Sequence, residues 1–218
     1  MKEQYVIGID LGTTNCTMAY FSNSQELGKG LPPPKIEQFP ILQWTQQGQA
    51  QELFSLPSFL YFLLDEEQEQ ILPWEADKET LCVGEFAKQR GAEVVSRVVS
   101  SAKSWLSHAS VDRRSKLLPL CSEQEDSKIS PVEVTKHLLK YLKNAWNEAM
   151  EDAPFESQKI IVTVPASFDP DARQLVEEAA KEAGYPQDMI LMEEPLAAFY
   201  SWLQQHEDSW REHLTVGD

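Results

Sequence analysis

The run YVIGIDLGTTNCTMAYF, residues 5 to 21, sets an acid, Asp10, near the end of an apolar stretch and follows it with Gly12, Thr13, Thr14 and Asn15. A loop that clasps phosphate needs inward-pointing backbone N–H groups, a glycine that lets the chain come close, and hydroxyls able to donate to phosphate oxygen. DLGTTN supplies all three. Asp10 would be repelled by bare phosphate, but it becomes useful when a divalent ion lies between them through its waters. The same residues also suit an ordinary hairpin with Gly12 in a positive-φ turn, so the loop taken alone leaves both readings open. It is not a Walker loop, and LGKGL at 27 to 31 does not supply one.

Other chemistry-bearing residues organise less well. His108, His137, His206 and His213 lack metal-ligand spacing, and none stands beside a Ser or Cys nucleophile in a known local pattern. Cys16, Cys82 and Cys121 are far apart and read as reduced structural thiols. Lysine and arginine total 19 against 35 acids, a formal charge of −16, which gives no global footprint for nucleic acid or anionic lipid. Any anionic ligand must therefore be held locally. The longest apolar stretches, such as LPSFLYFLL, are too short to span a bilayer, and MKEQYVIGIDLG lacks a signal peptide's apolar centre, so a cytoplasmic location is expected.

The elements that must hold the loop follow from periodicity. With 218 residues, 42% of them hydrophobic, the chain can bury one substantial core or two modest ones. Residues 5 to 11 and 16 to 22 read as strands on either side of GTTN. Residues 23 to 52 are polar and rich in Gly, Pro and Gln, which predicts an exposed connection with at most one short strand near IEQFPILQ. LPSFLYFLL reads as a strand, DEEQEQ as a turn, ETLCVGEFAKQRGAEVVSRVVSSAKSWLSH as helical sequence interrupted at Gly91, and CSEQEDSK as an acidic loop. Ser130, Pro131 and Glu133 open a long amphipathic helix with a capping box. KIIVTVP then reads as a buried strand, DPDARQLVEEAAKEAGY as a helix capped by Asp169 and stopped at Gly184, DMILMEE as a strand, and PLAAFYSWLQQHEDSWREHL as a helix. Such alternation implies parallel strands between helices, with ligands at the strands' carboxyl ends.

On these residues the sequence resembles a known family. IGIDLGTTNC resembles the first phosphate motif of the 70-kDa heat-shock proteins, the DnaK-type chaperones, which actin and the sugar kinases share loosely. LPSFLYF is similar to that family's proline–serine strand, VGEFAKQRG to its lysine segment, and SSAKSWL to the helix after it. SPVEVTKHLLKYL resembles its long helix, IIVTVPASFDPDARQLVEEAAKEAGY its valine–proline connecting segment, and LMEEPLAAFY its acid–proline–alanine turn.

The resemblance implies an α/β, actin-like ATPase (ribonuclease H-like) fold with ATP or ADP and Mg2+ as cofactors. By position, Asp10 would hold the waters of magnesium, and Gly12, Thr13, Thr14 and Asn15 would wrap the β- and γ-phosphates. Lys88 matches the family's catalytic lysine, whose ammonium meets charge developing on the transferred phosphoryl group, and the resemblance also implies a catalytic role for Thr13. Glu194, just before Pro195, matches the acid that helps place the attacking water; Glu193 does not fall on the motif position. Pro165 and Arg173 resemble the residues that relay the nucleotide state to a partner domain. Pro165 equally suits the end of a strand, and Arg173 a simple carboxylate pair.

Two departures shape the expectation. The connection at 23 to 52, with LPPPK, and the stretch QEQILPWEADKETLCVG are longer than the family's, which points to a divergent branch. The resemblance also covers only the first lobe of the family's nucleotide-binding domain. The expected organisation is a core phosphate-binding subdomain at 1–44 and 129–218, with 45–128 inserted as a smaller α/β subdomain. The parent would bind Mg-ATP and hydrolyse it by in-line attack of water to drive conformational change. Unfolded client polypeptides and co-chaperones would be engaged through further domains, with no nucleic acid or membrane partner. Residues 1–218 alone are expected to be inactive. A sugar or acid kinase of the same fold group is the alternative, disfavoured by VPASFDPDAR and EEPLAA, and a non-hydrolysing nucleotide-binding scaffold stays open.

Overall fold

A computed structural model of the chain describes residues 4–23, 34–68, 72–74, 80–108, 110–123, 127–206 and 209. LGKGL, most of LPPPK, the middle of CSEQEDSK, parts of QEQILPWEADKETLCVG and His213 lie outside these residues.

The first strands, β1 (Tyr5–Leu11) and β2 (Asn15–Ser22), pair antiparallel from Tyr5 opposite Ser22 to Leu11 opposite Cys16. β1 alternates: Ile7, Ile9 and Leu11 are buried, while Gly8 and Asp10 point to the other face. Between them and the later strands come β3 (Glu37–Gln38), β4 (Ile41–Gln46), β5 (Gln49–Leu53), β6 (Leu56–Pro57), β7 (Leu60–Phe62), β8 (Leu81–Val83) and β9 (Val98–Val99). β10 (Lys159–Val164) and β11 (Ile190–Glu193) then complete a six-stranded sheet, ordered β11-β10-β1-β2-β3 with β6 also on β2. β10 runs parallel to both β1 and β11, with Asp10 beside Thr163 and Thr163 beside Met192. Three strands therefore bring their carboxyl ends to one edge of the sheet.

One face of the sheet is closed by helices. α3 (Pro131–Ala149) starts from the expected capping box, Ser130 Oγ accepting from Glu133 N while the Glu133 carboxylate accepts from Ser130 N. Its Leu138, Leu139, Leu142 and Trp146 recur at helical spacing in one buried cluster with Ile7, Ile9, Ile160 and Val162. α4 (Pro170–Glu182) packs on α3 and adds Leu175 and Val176 to that cluster. It begins on Asp169, whose carboxylate accepts from Ala172 N at 2.6 Å, and ends before Gly184, which has φ 85°. α5 (Glu194–His206) packs on β10 and β11 and buries none of its residues.

The middle of the chain departs from expectation. Residues 23–52 were expected to carry at most one short strand, yet β3 is followed by a hairpin of β4 and β5 turning at Gly48, φ 72°. Alternation decides it: Ile41, Gln43 and Thr45 are buried on one face. Gln43, fully buried, donates to Ser55 O at 3.0 Å and accepts from Glu85 N at 3.0 Å, so a residue that reads as loop is satisfied inside the fold. LPSFLYFLL is two strands: β6 joins the large sheet, whereas β7 pairs with β8 and β9 in a three-stranded sheet. The sequence expected to be helical up to residue 108 divides into β8, α1 (Glu85–Glu93), β9 and α2 (Ala102–Leu106). Gly91 lies within α1 and does not interrupt it. A Cβ there would fall 2.3 Å from Val98 Cγ2, so glycine lets α1 lie against β9.

Candidate functional site

The loop between β1 and β2 turns back on itself at Gly12. A Cβ on Gly12 would sit 2.1 Å from the carbonyl oxygen of Asn15, so close approach demands the glycine, and its φ lies outside the left-handed region. Ser58, which follows β6, fastens the loop twice: its N–H donates to Thr14 O at 2.8 Å and its Oγ to Gly12 O at 2.7 Å. Pro57 lies beside Asn15 in the sheet. The proline–serine pair thus shapes the loop from behind and leaves Thr13 and Thr14 exposed.

A cavity of about 920 Å³ opens at the sheet edge where the parallel strands end. Asp10, Gly12, Thr13, Lys103, Pro165 and Glu194 line it. Asp10 is exposed, and Thr163 Oγ1 donates to its Oδ1 at 2.8 Å, which orients the carboxylate into the cavity mouth. Glu194 stands on the first turn of α5, where the helix dipole favours a carboxylate. Away from this polar end the cavity runs over apolar surface from Ile161, Met192 and Tyr200.

The lysine in this cavity is Lys103, on α2. Its side chain is only 8% exposed, and its ammonium pairs with Glu194. Lys88 is elsewhere: it sits on α1, half-exposed, with its ammonium 3.4 Å from Glu85, and it is not among the residues lining the cavity. Of the two lysines, Lys103 and not Lys88 lines this cavity. Sequence reading noted SSAKSWL as a helix but did not weigh its lysine; the signal that could have found it is a lone cation in a short apolar helix. Thr14 and Asn15 do not line the cavity, Thr14 contributing its carbonyl to Ser58 and Asn15 opening β2. Pro165 ends β10 and lines the cavity. Arg173 lies beyond it on α4 and donates to Glu193 Oε1 at 2.6 Å.

The remaining polar groups have structural surroundings. Cys16, next to the loop, is fully buried, and burial pushes its thiol up to about 11 despite the Ser58 and Gly12 hydrogen bonds. It is no nucleophile near neutral pH. His137 is lowered to about 4 by burial first and by Lys136 and Lys140 next, and so is neutral. Among the described residues no group of three His, Cys, Asp or Glu side chains could hold a metal ion directly. No helix among them is long and apolar enough to cross a membrane.

A sheet edge where parallel strands end, a glycine-threonine loop, an acid and a buried lysine from α2 meet at one cavity of an α/β fold. The family described as "Hsp70 protein" matches residues 75–210, and the chain belongs to that family, whose fold is the actin-like ATPase fold. The chain is 28% identical over 198 residues to the chaperone protein DnaK of Thermosipho melanesiensis, covering 90% of this chain and 26% of that one. It is 26% identical over 207 residues to a chaperone protein HscA homolog of Tolumonas auensis, covering 90% of this chain and 28% of that one. The chain thus spans about a quarter of the length of the curated relatives it matches.

Proposed function

We propose that this chain is the first lobe of an Hsp70-type nucleotide-binding domain, and that the whole protein binds Mg-ATP and hydrolyses it to drive a chaperone cycle. The observation that carries the proposal is the convergence of the Gly12 loop, Asp10, Lys103 and Glu194 on one cavity. Backbone N–H groups of the Gly12–Asn15 loop and the Thr13 and Thr14 hydroxyls would hold the β- and γ-phosphates, with Gly12 and Thr13 already lining the cavity. The donor set suits magnesium: Asp10 and Thr13 offer hard oxygens, and a single carboxylate matches an ion that keeps most of its own waters. Bound there, the ion would neutralise charge on the phosphate oxygens. Lys103 takes the role first expected of Lys88, meeting the charge that develops on the transferred phosphoryl group, while Glu194 orients the attacking water.

The same reading assigns Pro165 and Arg173 to the relay toward a partner domain, and 1–44 with 129–218 to a core into which 45–128 is inserted. Client polypeptides and co-chaperones belong to the whole protein. Residues 1–218 alone should not turn over, because one wall of phosphate donors leaves the adenosine half of the ligand unheld. A non-hydrolysing nucleotide-binding scaffold is the competing reading.

Titrating the full-length protein with a fluorescent ATP analogue tests the site. Asp10→Asn should weaken binding about tenfold or more in magnesium and have little effect in EDTA, since the carboxylate acts through the ion. Equal weakening in both conditions would refute the magnesium role of Asp10.

A further inference from the structure

The ion pair at the cavity belongs to a longer circuit that leaves α2 and returns to the segment behind it. Lys103 on α2 meets Glu194, the first residue of α5. Its neighbour Glu193, the last residue of β11, meets Arg173 at 2.6 Å. Arg173 stands one helical turn beyond Asp169, the cap of α4. Asp169 meets Arg113, which lies in the segment that follows α2.

Arg113 is the unusual member. Its side chain is only 13% exposed, and its two terminal nitrogens engage both Asp169 oxygens, Nη1 to Oδ1 at 3.0 Å and Nη2 to Oδ2 at 2.8 Å. The same carboxylate also caps α4 through Ala172 N. The next residue, Arg114, meets Glu178 at 2.6 Å further along α4. Isolated exposed ion pairs contribute little, but a forked arginine pair within a network has the geometry that does.

We propose that Arg113 is a positioning residue. It holds the first turn of α4, and through Arg173 and Glu193 it fixes the strand end on which Glu194 faces Lys103. The consequence for turnover rests on the role given to Glu194 above; the mechanical coupling does not. Arg113→Gln cuts the circuit at a point that touches no ligand, and Arg113→Lys keeps the charge without the fork.

The test combines amide hydrogen exchange with steady-state ATP hydrolysis on the full-length protein. In Arg113→Gln, exchange should rise about tenfold at the first turn of α4 and also at 193–196, because the opening is shared. kcat should fall about tenfold with KM within about twofold, and Arg113→Lys should lie between. Arg113→Gln added to Arg173→Gln should cost no more than Arg173→Gln alone, as expected for two links of one path. Faster exchange confined to 110–116 overturns the proposal, as do kcat losses that multiply in the double variant. Exchange needs no turnover, so propagation to 193–196 in a protein without measurable hydrolysis supports the clamp while the hydrolysis reading falls. If Arg113→Gln does not fold, the Arg113→Lys comparison decides on the same criteria.

Discussion

At the residue scale the account turns on which lysine reaches the polar end of the cavity. Lys88 and Lys103 both lie in segments that resemble the family, and sequence likeness alone favoured the first. Packing favours the second: α2 buries the stem of Lys103 and delivers its ammonium to Glu194, whereas Lys88 lies on the outer side of α1 against Glu85. A lysine's reach is set by the element that carries it, and the periodicity of so short a helix gave no direction. Asp10, Gly12 and Glu194 line one cavity because strand ends and a tight loop fix them locally. Gly12→Ala should prevent the loop from closing on Asn15 and reduce nucleotide affinity by about a hundredfold or more, read by the same fluorescent titration, since the clash is with backbone. Retained affinity would mean that the loop opens without loss.

At the element scale the β4–β5 hairpin and the β7-β8-β9 sheet were the least legible parts. Their strands are short, and the buried positions of β4 include Gln43 and Thr45, which hydropathy scores as loop. Gln43 caps α1 from a distance because Gly84, before the helix, has no side chain to do so. Gln43→Leu should therefore cost about 1–3 kcal/mol in urea unfolding, from an unpaired Glu85 N–H and an unpaired Ser55 carbonyl. A second expectation concerns Asp169. The Arg113 hydrogen bonds, followed by the Ala172 N–H, lower its carboxyl to about 2. A depressed carboxyl contributes stability that is present above the unfolded pKa, about 4, and is lost as pH falls toward about 2. Asp169→Asn keeps a cap but removes that charge. The stability gap between wild type and Asp169→Asn should shrink as pH drops through this window, and thermal unfolding from pH 6 to pH 2 measures it. A gap that stayed constant would place the stabilisation elsewhere.

At the scale of the whole molecule the order of elements was legible, because the long periodic segments of the second half leave few alternatives. Capping residues bounded α3 and α4, and apolar runs between helices required β10 and β11 to be parallel. What the pattern could not give is how the middle segment folds back: β6 joins the large sheet while β7, three residues later, leaves it. That junction shapes the Gly12 loop through Ser58, which lies between the two strands. α5 buries no residue, and Leu196, Phe199 and Tyr200 on it are exposed.

The most direct test of the central claim is single-turnover hydrolysis of ATP by the full-length protein at saturating magnesium and nucleotide. The account predicts that Lys103→Ala and Glu194→Ala each slow phosphate release from ATP by about a hundredfold or more, as expected for groups at the developing charge and the attacking water. Lys88→Ala should stay within about threefold of wild type, as expected for a group that does not touch the reacting atoms. Hydrolysis unchanged by Lys103→Ala and abolished by Lys88→Ala would contradict the site described here.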